Sequence, residues 1–337
     1  MHLVTGATGH IGNVLVRQLL ARGEHVRALV RPGGVPEALA GLKIDLVPGD
    51  LLNLASLVTA LQGVEYVHHL GARISVAPGT DPETWRVNLE GTRNLIRAAR
   101  EARVNRFLYA SSIYALRRPA GGMVDETLPF DPASAIDEYD RSKAAASLEV
   151  LQAVEEGLDA VLLCPTAVTG PFDFKVSEAG RGILYNMTPG IKFTVDGAYD
   201  FVDVRDVARG FILAAERGQK GGTYILGGER LTVQEISRII WQAAGGWHWG
   251  IHLPGWVADL AAGVLPLFSQ EPLVTPYTLG AIRSNSDISH EKAARELGYQ
   301  SRPAATAVRE AVRWWQLQRG MDADTRQPAW LKEIAPD

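Results

Sequence analysis

Thr5-Gly6-Ala7-Thr8-Gly9-His10-Ile11-Gly12 follows directly on the run His2-Leu3-Val4 and opens into a stretch where Ile11, Leu15 and Leu19 recur four apart. The order is strand, glycine turn, amphipathic helix. One glycine lets the chain turn sharply, a second lets the backbone approach a pyrophosphate with no Cβ between them, and a third lets the helix lie close on the strand. The helix then offers its first N–H groups to the anion. Gly6, Thr8, Gly9, His10, Ile11 and Gly12 are therefore candidate dinucleotide contacts. A glycine turn that binds nothing is the plainer alternative, and the order of the three parts weighs against it.

Outward from this turn, strand-like runs at 2–5, 25–30, 43–47, 64–70, 106–110 and 160–163 alternate with helical patterns. Such alternation predicts an α/β fold with a doubly wound parallel sheet. Past Pro165 the pattern loosens through a Gly/Pro-bearing stretch before a strand-like 201–204 and a helix over 206–217. The expected organisation is a dinucleotide-binding domain over 1–165, to which 201–228 returns. A smaller interleaved substrate lobe takes 166–200 and 229–320, and 321–337 forms a tail.

At 337 residues with 46% hydrophobic and 21% charged positions, the chain is long enough for a large core and is neither disordered nor fibrous. Lys and Arg total 34 against 38 Asp and Glu, with no basic run, so no nucleic-acid partner is expected and a small-molecule ligand is. A single cysteine, Cys164, excludes an intrachain disulfide and a thiolate metal site. The chain reaches its glycine turn with no room for a signal peptide, and its longest apolar stretch, 255–268, is interrupted by Asp259 and Pro266. A cytoplasmic protein without a transmembrane segment is the expectation.

The second strand ends Leu29-Val30-Arg31-Pro32, where an NAD-binding unit would place an acid for the adenosine ribose, and no acid falls between Glu24 and Glu37. Arg31 suits a ribose 2′-phosphate, which points to NADP and leaves NAD open; a solvated arginine is the alternative. Asp50 and Leu51 after the third strand, and Leu70, Gly71 and Ala72 after the fourth, stand where open α/β sheets bind ligands. Asp50 is equally placed to cap the following helix.

In Asp137-Glu138-Tyr139-Asp140-Arg141-Ser142-Lys143, acids stand where a helix begins, and Tyr139 and Lys143 share one face. An ammonium beside a phenol favours the phenolate, which predicts a lowered Tyr139 pKa suited to proton transfer at a carbonyl. Ser111-Ser112 ends the fifth strand on the ligand side, and its hydroxyls are placed to polarise a substrate oxygen.

This ordered set, from Thr5-Gly6 through Asn88-Leu89-Glu90-Gly91-Thr92, Ser112, Tyr139 to Lys143 and Pro165-Thr166-Ala167-Val168-Thr169-Gly170-Pro171 to Glu296-Leu297-Gly298-Tyr299, resembles the extended short-chain dehydrogenase/reductases of the NAD-dependent epimerase/dehydratase superfamily. Val26 to Arg31 is most similar to the dihydroflavonol reductase branch, and Tyr224 to Glu229 to bacterial hopanoid-associated sugar epimerases. The resemblance implies that Tyr139 is the general acid/base, that Lys143 holds the nicotinamide ribose, and that Ser112 hydrogen-bonds the reacting oxygen. It also implies that Asn88 supports a helix kink and a proton relay, that Pro165 and Val168 contact the nicotinamide, and that a homodimer forms through helices near 92–102 and 143–154. A buried, satisfied amide is the other reading of Asn88.

Ile113-Tyr114-Ala115-Leu116 departs from the Val-Tyr-Gly usual in nucleotide-sugar enzymes, and no acidic pair follows Ser112. The expected activity is NADP-dependent reduction of a ketone or aldehyde on an apolar or aromatic molecule. The alternatives are an NAD-dependent nucleotide-sugar epimerase or dehydratase and a non-catalytic cofactor sensor, against which Ser112, Tyr139 and Lys143 argue. His248 and His252 have a helical zinc spacing but no third ligand, so no metal is expected. Trp241, Trp247, Trp249 and Trp256 read most simply as core; a substrate pocket, a dimer face or a lipid-contacting surface are the alternatives. Cys164 reads as an inert core thiol, and the His68-His69 pair has no functional account.

Overall fold

Every residue of β1 (His2–Thr5) is buried, as a strand with neighbours on both edges and helices on both faces requires. It pairs in parallel with β2 (Val26–Val30) and β4 (Tyr66–His69), and β2 with β3 (Asp45–Pro48). On the other side β5 (Arg106–Ala110), β6 (Ala160–Pro165) and β10 (Thr223–Leu226) complete an all-parallel sheet of order β10-β6-β5-β4-β1-β2-β3. The computed structural model describes residues 1–33, 36–74, 81–117, 122–135, 137–264, 275–283 and 287–320, so the expected tail lies outside the described residues.

Alternate side chains of the strands feed two cores. On one face Val4 meets Val14, Leu15 and Leu19 of α1 (His10–Ala21) and Val207 and Phe211 of α7 (Val204–Arg217). On the other, Leu3, Val67 and Phe107 meet Leu57 of α2 (Leu54–Ala60), Leu95 and Ile96 of α4 (Gly91–Ala102), and Val150 of α5 (Glu138–Glu155). The short α3 (Pro82–Trp85) passes through one π-helical turn, Arg86–Glu90, before α4 begins.

The remaining elements form a smaller lobe. β7 (Ala167–Thr169), β9 (Ala198–Asp203) and β11 (Glu229–Thr232) make a three-stranded sheet, and β8 (Gly190–Thr194) pairs with β12 (His248–His252). Around them pack α6 (Glu178–Met187), α8 (Val233–Ala244), α9 (Gly255–Val264), α10 (Pro276–Arg283) and α12 (Ala304–Gln318), while α11 (Glu291–Leu297) packs back on α7 and β10. Of segment 201–228, α7 and β10 join the large sheet, whereas β9 pairs within the small one. No described helix is long and apolar enough to cross a membrane.

The tryptophans depart from the core reading. Trp247, Trp249 and Trp256 are 62%, 68% and 71% exposed. The register of β12 on β8 sets Trp249 beside Ile191 and Ile251 beside Phe193, all four exposed, so one face of this two-stranded sheet is uncovered apolar surface. His248 and His252 lie on that strand rather than on a helix. Four residues of strand separate them by about 13 Å, too far to share an ion.

The two lobes are joined at a buried ion cluster. Arg205 on α7, 1% exposed, meets the Asp203 carboxylate through Nε (2.8 Å) and Nη2 (2.6 Å) and pairs with Glu310 of α12. Asp206 takes the Arg302 backbone N–H at 2.7 Å and its guanidinium at 3.1 Å. Arg205→Ala leaves Asp203 charged in the interior with only the more distant Arg302 (3.9 Å) to offset it, and urea titration is expected to show a loss of about 3–5 kcal/mol. The double variant Asp203→Asn/Arg205→Met, which removes both charges and keeps the α7 cap, is expected to recover most of it.

Candidate active site

Because all seven strands of the large sheet run parallel, Thr5, Val30, His69, Ala110, Pro165 and Leu226 collect at one edge. The strand order reverses between β1 and β4, which is where such sheets open a ligand crevice. Gly6 occupies this point with φ +70°, and a Cβ there would lie 2.6 Å from the Leu70 carbonyl and the Gly71 nitrogen. A Cβ on Gly12 would lie 2.2 Å from the Gly6 oxygen. These two glycines answer to packing within the chain. Gly9 differs: its Cβ would meet only the Gly6 oxygen, at 3.2 Å, so the space beside it is open.

Gly9 is also the N-cap of α1, with no side chain accepting from the first turn and no acid within it. Helices α2, α5, α6, α7 and α8 are capped by the side chains of Asn53, Asp137, Ser177, Asp203 and Thr232. An uncapped positive helix end beside an open glycine fits a dinucleotide pyrophosphate. Across the crevice Thr166, between β6 and β7, has a buried hydroxyl with no partner among the described residues.

The histidine pair acquires a structural reason. The Gly71 N–H donates to Thr5 Oγ1 (3.0 Å), which is 2.8 Å from His69 Nδ1, and His69 Nε2 is 2.9 Å from Thr92 Oγ1, which donates to the Asn88 carbonyl (2.6 Å). Every donor is used if His69 is neutral and protonated on Nε2. Burial lowers the His69 pKa to about 3, and Lys143 adds to the effect; burial and His2 lower His68 to about 3. Asn88, in the π-helical turn, accepts the Arg73 N–H (2.8 Å) and donates to the Arg73 carbonyl (3.0 Å) and to Ser142 Oγ (2.8 Å), which donates to the Tyr139 carbonyl (2.8 Å). Its amide is fully engaged in holding α5 to the end of β4.

Asp137 caps α5 by accepting the Asp140 N–H at 2.7 Å, so the helix begins at Glu138 and carries Tyr139 in its first turn and Lys143 in its second. Tyr139 is half-buried, and the Ser112 hydroxyl hydrogen-bonds its phenol. Lys143 is buried; its ammonium donates to the Ala110 carbonyl and stands 4.4 Å over the Tyr109 ring. Ser111 Oγ meets Ser147 Oγ at 2.7 Å, fastening the end of β5 to α5.

The charge states differ from the expected Lys143-activated phenolate. Burial raises the Tyr139 pKa, the carboxylates of Asp140 and Asp137 raise it further, and only Ser112 pulls the other way. Burial drives the Lys143 amine down to about 7. In a low-dielectric site desolvation favours the neutral form of both groups. Burial also pushes the Cys164 thiol up to about 12, in keeping with an inert core residue.

The other candidates line the same edge. Arg31 is exposed just past β2 and makes no ion pair among the described residues. Asp50 is not the cap of α2, which is Asn53; its carboxylate instead accepts the Leu52 N–H at 2.8 Å within its own turn. Leu51 packs against Gly71 and Gly91, and Leu70, Gly71 and Ala72 continue from β4 beneath Gly6. Pro165 ends β6 and Val168 lies in β7. Sequence reasoning missed Lys175, whose ammonium donates to Thr8 Oγ1 at 2.6 Å. A lone lysine in a loop carries no spacing signal that would have found it.

Residues 2–227 match the model of the NAD dependent epimerase/dehydratase family. The chain is 35% identical to sterol demethylase protein B of Methylococcus capsulatus, covering 95% of this chain and 99% of that one. It is 34% identical to a putative dihydroflavonol 4-reductase of Synechocystis, covering 93% and 94%. The solved structure of gox2253 superposes with a TM-score of 0.79 at 37% identity, covering 95% and 99%.

Two outcomes follow from the buried bases. Below pH 6.5 the unfolded chain binds protons that native His68 and His69 refuse until about pH 3. Stability is therefore present above pH 6.5 and lost as the pH falls, by about 1.4 kcal/mol per unit for each histidine. Urea midpoints measured between pH 7 and 4.5 are expected to fall accordingly, and less steeply in His68→Phe. For Lys143, unfolded near 10.5 and native about 7, the folded state gives up a proton at pH 8 that the unfolded chain keeps. Lys143→Met is expected to melt at a higher temperature than the parent at pH 8 while losing turnover.

Proposed function

The chain belongs to the NAD dependent epimerase/dehydratase family and is an NAD(P)-dependent enzyme of the extended short-chain dehydrogenase/reductase type, and from that premise we propose that it reduces a ketone or aldehyde on an apolar or aromatic small molecule with NADP as its cofactor. The observation that carries this reading is Tyr139 beside the Ser112 hydroxyl at the carboxyl end of β5, its phenol pushed toward the neutral form by burial and by the carboxylates of Asp140 and Asp137. A phenol held neutral is a proton donor, as carbonyl reduction requires; alcohol oxidation would need the phenolate at the outset. The similar proteins named for a dihydroflavonol and a sterol support an apolar substrate. Arg31, together with the lack of an acid at the end of β2, supports NADP over NAD.

In this reading the first turn of α1 with Gly6, Thr8 and Gly9 holds the pyrophosphate, Arg31 the 2′-phosphate, and Asp50, Leu51 and the segment Leu70 to Ala72 the adenosine. Lys143 holds the nicotinamide ribose, and Pro165 and Val168 its amide. When bound, the cofactor supplies the hydride that reaches the carbonyl carbon. Tyr139 releases its proton to the carbonyl oxygen as charge develops there, and Ser112 stabilises that charge by a hydrogen bond. Asn88 positions the helix that carries Tyr139 and takes no part in the transfer. We further propose a homodimer through the paired α4 and α5, whose outer faces carry the ion pairs Arg93 with Glu149 (2.6 Å) and Arg100 with Glu156.

The test begins by denaturing purified protein and assaying for released dinucleotide, followed by fluorescence titration with NADPH and NADH. An empty site with NADPH preferred supports a dissociable-cofactor reductase. Co-purified NAD would instead mark an epimerase or dehydratase that returns its hydride to the same sugar. Tyr139→Phe is expected to cut turnover by about 10²–10⁴-fold with NADPH affinity unchanged; retained turnover would remove Tyr139 from the mechanism.

A further inference from the structure

We propose that Lys175 is the second cation, with Arg31, of the adenosine 2′-phosphate site; the assignment rests on the NADP reading. Lys175 comes from the loop after β7, far from the glycine turn in sequence, yet its ammonium donates to Thr8 Oγ1 at 2.6 Å. Arg31 follows the end of β2, the strand that pairs with β1 through Thr5 and Leu29 just before the glycine turn. Among the described residues neither cation is paired with a carboxylate.

Two like charges are close enough here to be felt. The Lys175 ammonium is held below its ordinary pKa by burial and then by the charge of Arg31. Holding two unneutralised cations together costs free energy that a phosphate monoester, carrying about −1.5 to −2 charges at neutral pH, repays. Elsewhere the chain neutralises such groups: Arg205 has Asp203 and Glu310, Arg302 has Asp206, and Arg106 has Asp159.

The loop is also fastened so that Lys175 cannot wander from α1. His10 Nε2 donates to the Pro171 carbonyl (2.9 Å), Asn13 Nδ2 to the Phe172 carbonyl (3.0 Å), and the Arg17 guanidinium lies 4.8 Å over the Phe172 ring. Asp173, buried, accepts the Ser177 N–H on both oxygens (3.0 and 2.9 Å) and the Ser177 hydroxyl (2.7 Å). Phe172 (φ 68°) and Val176 (φ 54°) are both left-handed, a conformation that non-glycine residues keep only where surrounding contacts hold it. Lys175 stands between these two fixed points, presented to the turn rather than free on a loop.

The experiment is fluorescence titration of the full-length chain and of Lys175→Gln with NADPH and with NADH, at low and moderate salt, with adenosine 2′,5′-bisphosphate as a competing probe. Lys175→Gln is expected to weaken NADPH and the bisphosphate by about tenfold, the loss of one charge-assisted contact. NADH should be nearly unchanged, the salt dependence of NADPH binding shallower, and Lys175→Arg should restore most of the affinity. Equal weakening of NADPH and NADH would place Lys175 on the pyrophosphate and overturn the assignment, as would no weakening of either. The preference of the parent chain tests the NADP reading separately, because the change between parent and variant is read for each dinucleotide whichever one the parent prefers.

Discussion

A single methyl group on Gly6 would lie 2.6 Å from the carbonyl of Leu70; the turn from β1 into α1 is pressed that closely on the end of β4. From this approach the rest of the site follows. With the turn backed against β4, the Gly71 N–H reaches Thr5, Thr5 reaches His69, and His69 reaches Thr92 and the π-helical turn that carries Asn88. Asn88 then reaches Ser142 on the helix of Tyr139 and Lys143. The glycine turn and α5 are thus one hydrogen-bonded unit, in which each buried donor has an acceptor.

The same burial decides the chemistry. His69, Lys143 and Cys164 lie where water is excluded, with half-buried Tyr139 beside them, and each of the four is shifted toward its neutral form. For Tyr139 this means an acid at rest rather than a base, because the carboxylates of Asp137 and Asp140 add to desolvation. Charge is kept instead at the rim, where Arg31 and Lys175 are exposed. A neutral floor with a cationic rim suits a ligand that is anionic at one end and apolar at the reacting end.

The smaller lobe is joined to this unit by a shared apolar core, in which Ile183 of α6, Ile240 of α8 and Val308 and Trp314 of α12 cluster with α1 and α7, and by charges, rather than through a continuous sheet. Arg205 and Asp203 tie the start of α7 to α12, while the loop from Pro171 to Ser177 is bound to α1 by His10, Asn13 and Arg17. Beyond these ties the lobe leaves apolar side chains uncovered. On the β8 and β12 pair, Ile191, Phe193, Trp249 and Ile251 stand on one exposed face. Core was the simplest reading of the tryptophans there, since residue type does not tell whether a neighbouring element covers them.

Residues close together in the chain determined the strands, the glycine turn, α1, and the pairing of Tyr139 with Lys143 on one helical face, because steric preference and periodicity act over a few positions. The edge at which Ser112, Arg31 and Leu70 meet was legible too, since parallel strands must end on one side. The role of the histidine pair, the cap of α2, the protonation of Tyr139 and the arrival of Lys175 at Thr8 were decided only by the tertiary structure. Thr5 and His69 are 64 positions apart and Thr8 and Lys175 are 167 apart. Contacts and electric fields between such groups exist only once the sheet has brought their strands together and shut out the water.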